Sequence, residues 1–75
     1  MPHVIVKLYP GRSEHQKIRL TEEIVQDVTS VLGCGENSVS VAFEEIDSSD
    51  WAEKVYRTDI ASSSAKLYKK PGYTM

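Results

Sequence analysis

Pro2-His3-Val4-Ile5-Val6-Lys7-Leu8-Tyr9-Pro10-Gly11-Arg12-Ser13-Glu14-His15-Gln16-Lys17 holds a strand, its terminator and the opening of a helix. Residues 3–9 are rich in β-branched and aromatic side chains, the composition of a strand. Its alternation sets Val4, Val6 and Leu8 on one face and His3, Ile5 and Lys7 on the other. Pro10-Gly11 breaks it. Ser13, with Gln16 three positions on, is a capping box that satisfies amides otherwise orphaned at a helix start. Glu14 adds a negative charge at the positive end of the helix dipole.

Working outward, Leu20, Ile24, Val28, Val31 and Leu32 recur at helical spacing and predict one apolar stripe, with Gly33 just past the helix end. Cys34-Gly35-Glu36-Asn37 reads as a turn. Val39, Val41 and Phe43 then alternate with Ser38, Ser40, Ala42 and Glu44, the pattern of a second strand. Strand, helix, strand makes a βαβ unit with parallel strands and a right-handed crossover. Asp47-Ser48-Ser49-Asp50 ends that strand. Asp50 is the expected cap of a C-terminal helix, with Glu53 at its third position and Trp51, Val55, Tyr56, Ile60 and Leu67 on the buried face. Ser62-Ser63-Ser64 weakens its second half, and Lys69-Lys70 before Pro71-Gly72 closes it. An ordered surface tail is expected after that.

The fold class expected is therefore α/β in β-α-β-α order, as a single domain over residues 1–75. Two parallel strands leave open edges and one bare face. Pairing with a second copy would give a four-stranded sheet, so a homodimer is expected.

Composition narrows the function classes. A chain of 75 residues buries only about 60% of its unfolded surface, so a lone core is marginal. One cysteine allows no internal disulfide, and no spacing suggests a metal site or a cofactor. A net charge of −2 argues against a nucleic-acid partner. No apolar run is long enough to cross a bilayer and none resembles a signal peptide, so no membrane partner is expected and the cytoplasm is the expected location.

Pro2 carries the chemical interest. Loss of Met1 would expose a secondary amine, which no other residue type supplies. Inside a chain the same nitrogen is a non-basic amide. A free α-amine has a reference pKa of about 7.7–8.0, and an apolar pocket lowers it toward the range where a general base works at neutral pH.

The leading proline, the short strand and the Gly11-Arg12-Ser13-Glu14-His15-Gln16-Lys17 run together resemble the 4-oxalocrotonate tautomerase family. Ser38-Val39-Ser40-Val41 falls at the expected distance, and Lys69-Lys70-Pro71-Gly72-Tyr73 resembles the small dimeric bacterial branch acting on phenylpyruvate enols. The resemblance implies a cofactor-independent enol–keto tautomerase. Pro2 would be its acid/base, Arg12 the clamp on a substrate carboxylate and Trp51 an aromatic wall. Two features depart from the family pattern. Larger members carry a second arginine where this chain has Ser40, which the resemblance makes a substrate-binding hydroxyl but not a cation, so a monocarboxylate 2-oxo acid or enol with an apolar tail fits better than a dicarboxylate. The usual glycine-rich hairpin after Ile46 is replaced by a predicted helix, which favours a dimer over a hexamer.

Other readings stay open on the residues alone. Arg12 by itself is an ordinary loop arginine, Trp51 equally a core residue, and Ser40 a plain strand position. His3 and His15 receive no role, although imidazole is a common acid/base group, and Cys34 reads as a passive turn residue. The alternatives are hydration or dehalogenation of unsaturated acids on the same fold, and a non-catalytic oligomerising module.

Overall fold

A computed structural model describes residues 1–75. The chain divides into two compact units, Met1–Glu45 and Ile46–Met75. In the first, strand β1 (His3–Leu8) is followed by helix α1 (Glu14–Leu32), a 3-10 turn at Glu36–Ser38, and strand β2 (Ser40–Glu45). The strands pair in parallel, His3 opposite Ser40 through Leu8 opposite Glu45. The expected βαβ unit is present, each strand shorter than expected: β1 stops before Tyr9 and β2 starts at Ser40.

The capping box forms as its residues require. The Gln16 amide donates to Ser13 Oγ at 3.1 Å, and the Ser13 amide donates to Gln16 Oε1 at 3.0 Å. Gly33 ends α1 with φ 69° and ψ 31°, a left-handed conformation that glycine adopts without steric cost. Strand alternation divides the sheet cleanly. Val4, Val6 and Leu8, with Val41 and Phe43, are half-buried, whereas His3, Ile5, Ser40 and Glu44 are exposed on the other face or at its end. Ile24, Val25 and Val28 of α1 are half-buried. Leu20, Val31 and Leu32 depart from the expected stripe and are 40%, 81% and 64% exposed. The helix has 19 residues and each strand 6. At about 1.5 Å per helical residue against about 3.3 Å per strand residue, α1 is longer than the sheet by about 8 Å, and its last turn has nothing beneath it.

In the second unit the expected cap moves. Asp47, not Asp50, is the N-cap, and the Asp50 amide donates to the Asp47 carbonyl at 2.9 Å. Nor is there one long helix. Helix α2 (Ser48–Trp51) widens into a π-helical segment, Ala52–Ala61, and a 3-10 turn follows at Ser64–Lys66. The serine run does interrupt the helix as its propensity implies. The Ser62 amide and hydroxyl both donate to the Arg57 carbonyl, five residues back, which fixes the wide turn. The expected buried face survives the change in pitch: Val55 is 4% exposed, and Trp51, Tyr56, Ile60 and Leu67 are half-buried.

Candidate active site

Pro2 sits at the leading end of the sheet. The Ser40 amide donates to its carbonyl at 3.1 Å, so the parallel ladder holds the residue in place although β1 begins one position later. Pro2 is half-buried, and Met1 before it is fully exposed, which leaves the bond between them accessible to an aminopeptidase. Directly beside Pro2, His3 and Ser40 face each other across the sheet, with Nδ1 and Oγ 2.6 Å apart. Residue type and register together bring Pro2, His3 and Ser40 to one end of the first unit.

Arg12 lies at the other end. It precedes α1 and lines a shallow cavity of about 210 Å³ with Leu8, Gln16, Lys17, Leu20 and Phe43. Lys17 Nζ is committed elsewhere, 2.9 Å from Glu14 and 3.5 Å from Glu45. The hydrogen bond to Glu14 raises the Lys17 pKa, with further support from both carboxylates against some desolvation. A raised lysine pKa leaves the ammonium charged at neutral pH, and its contribution to stability disappears only as pH rises past the ordinary value of 10.5. The pair ties the first turn of α1 to the end of β2. Arg12 is exposed and has no carboxylate partner, so its fork is available to an anionic group.

Nine residues separate Pro2 from Arg12, six of them in β1, and those six alone extend about 20 Å at strand rise. An extended arginine side chain does not cover that distance. Within one chain the two residues do not meet around one small molecule.

Trp51 belongs to the second unit, where it ends α2. Its indole N–H donates to the Tyr73 hydroxyl at 3.0 Å, and the Tyr73 ring lies 5.8 Å from that of Tyr56. The tail thus folds onto this unit through Tyr73, while Tyr68 is fully exposed. Trp51 is the sole tryptophan, so Tyr73→Phe is expected to move its fluorescence emission to longer wavelength as the indole N–H turns to solvent. Unchanged emission would show that the tail does not hold the indole.

Two partners were missed from sequence. The His3–Ser40 contact follows from strand parity once the register is known, but register is a long-range property. Tyr73 gave no signal beyond its aromatic character. No three or more His, Cys, Asp or Glu side chains gather as a metal would require, and no helix is long and apolar enough to cross a membrane.

Comparison with known proteins places this geometry. Residues 2–55 match the model of the family described as tautomerase enzyme. A probable tautomerase of Xylella fastidiosa is 41% identical over 97% of this chain and 89% of its own length. Tautomerase PptA of Cronobacter sakazakii is 40% identical over the full length of both. The crystal structure of YwhB, a homologue of 4-oxalocrotonate tautomerase, superposes with a TM-score of 0.60 at 35% identity, over 61% of this chain and 75% of that one. The matched region contains Pro2, Arg12, Ser40 and Trp51, and the α/β unit with parallel strands is shared. The chain therefore belongs to the tautomerase family.

Proposed function

We propose that the protein is a cofactor-independent enol–keto tautomerase in which Pro2, freed by removal of Met1, moves a proton between the oxygen and carbon ends of a 2-hydroxy-2-alkenoic acid or its 2-oxo form. Family membership supports an isomerase-type activity. The observation that carries the finer reading is the placement of Pro2, half-buried and bonded to Ser40 at the sheet end. In the mature chain its neutral nitrogen removes the enol hydroxyl proton, the electron pair moves to form the C2 carbonyl, and C3 is protonated. The reverse path takes the proton from C3 and leaves charge on the C2 oxygen.

Arg12 holds the substrate carboxylate as a bidentate fork. Because one chain keeps it about 20 Å from its own Pro2, the complete site takes Pro2 from one copy and Arg12 from another. A homodimer, with a four-stranded sheet, is the smallest assembly that does so. Its driving force is visible in the first unit: no side chain there is fully buried, and Ile5, Ile18 and Leu20 are exposed. The family resemblance assigns Trp51 the role of an apolar wall. The β2 carboxylates, Glu44 and Glu45, stand opposite Lys7 and Leu8, at the end of the sheet where Arg12 lies.

Ser40 brings no second cation to the Pro2 end. Phenylenolpyruvate is accordingly expected to exceed a dicarboxylate such as 2-hydroxymuconate in kcat/KM by at least about tenfold, the value of one missing charge-assisted hydrogen bond. Parallel ketonisation assays measure the ratio. A preference for the dicarboxylate would overturn the substrate class.

A further inference from the structure

The first unit places two polar side chains beside Pro2 on the sheet face that α1 leaves bare. His3 Nδ1 lies 2.6 Å from Ser40 Oγ, while the Ser40 amide holds the Pro2 carbonyl at 3.1 Å. Covalent geometry then limits the Pro2 nitrogen to within about 10 Å of Ser40 Oγ, close enough for both to reach one small substrate. The contact is short for a hydrogen bond between neutral groups. Which way the serine proton points depends on the imidazole tautomer. If His3 Nδ1 carries hydrogen and donates to Oγ, the serine lone pair is occupied and its O–H is free to point away from the sheet.

We propose that Ser40 donates this O–H to the C2 oxygen of the substrate, and that His3 is a positioning residue that holds the hydroxyl in that role. The inference rests on the tautomerase reading. When Pro2 takes the C3 proton, the C3–H pair becomes the C2–C3 double bond and the carbonyl π pair moves to oxygen. The Nδ1–H···Oγ–H···O chain strengthens as that charge appears, without transferring a proton of its own. Pro2 then returns its proton to the C2 oxygen, which balances the step. The pair substitutes for a cation at the Pro2 end. Other charges on the bare face are Lys7, two strand positions beyond Ile5, and Glu44 opposite it. Both lie farther along the strands than the dyad.

Variants at the two positions test the role. Ser40→Ala is expected to lower kcat about tenfold to a hundredfold, with a smaller change in KM, because the lost bond strengthens in the transition state. His3→Leu should lower kcat about tenfold but add nothing in the Ser40→Ala background. His3→Asn, whose amide N–H can occupy the Nδ1 position, should recover most of the loss. Ser40→Thr should also retain activity. A second readout is independent of turnover: ¹⁵N shifts of the neutral His3 ring in wild-type protein should put the proton on Nδ1. A proton on Nε2, or additive losses in the double variant, would overturn the dyad. Full activity of Ser40→Ala beside an inactive Pro2→Ala would sink this inference alone. Full activity of both would sink the tautomerase reading itself.

Discussion

Pro2→Ala is expected to reduce kcat/KM for phenylenolpyruvate ketonisation by at least about a hundredfold, within the 10²–10⁴ range typical of general acid–base groups. Alanine leaves a primary amine in place of the ring nitrogen, so some basicity remains at the chain start. What is lost is the secondary amine and its rigid pyrrolidine ring, which fixes the direction of the nitrogen lone pair about the N–Cα bond. A sharper form of the same prediction needs no substitution. Protein that keeps Met1 has an amide at Pro2 and should be inactive, while demethionylated protein from the same preparation is active. Intact-mass measurement beside the assay separates the two species. Stability should be unaffected in both, because the Pro2 contact within the first unit uses the backbone carbonyl rather than the ring.

Arg12→Ala is expected to raise KM about tenfold to a hundredfold, the effect of removing a charge-assisted bidentate contact. Arg12→Lys should recover only part of the loss, since an ammonium keeps the charge without the fork. The geometry makes a stronger prediction. Pro2→Ala and Arg12→Ala homodimers are each impaired, yet co-refolding an equal mixture should restore about a quarter of wild-type activity. Half of the dimers are then mixed, and each mixed dimer has one intact site. No recovery on mixing would mean that Pro2 and Arg12 act from the same chain, and β1 would have to be broken or bent to bring them together.

Much of this was legible in sequence because it is local. The capping box depends only on Ser13 and Gln16, the helix stop on Gly33, and the strand faces on alternation. Expectations failed where the answer lies in the extent of a neighbouring element. Periodicity placed Val31 and Leu32 on the apolar side of α1, but says nothing of where the sheet beneath runs out. The cap shifted from Asp50 to Asp47, where the helix start is closed by the backbone bond from the Asp50 amide rather than by a side chain. The π-helical pitch of Ala52–Ala61 has no compositional signature at all. Of the buried residues, Trp51 and Val55 share a face at α-helical pitch, whereas Ile60 comes round to that face only at the wider pitch.

The site was half legible. Pro2 stood out by residue type and Arg12 and Ser40 through the family resemblance, and the Pro2 carbonyl does meet the Ser40 amide across the strands. Under the proposed function, Arg12 and Pro2 come from two copies rather than from one chain. Sequence proximity across a strand is spatial distance, because an extended backbone keeps its ends apart. His3 was passed over for a related reason. A histidine in a strand gains meaning only from the residue opposite it, and that residue is thirty-seven positions away.

The most direct test is ¹⁵N titration of the Pro2 nitrogen in protein whose mass confirms loss of Met1, run beside the pH profile of kcat/KM. The account predicts a titration at or below about 7.7–8.0, with activity rising along the same curve as the amine loses its proton. A nitrogen that titrates well above neutrality, or activity that ignores its protonation state, would contradict it.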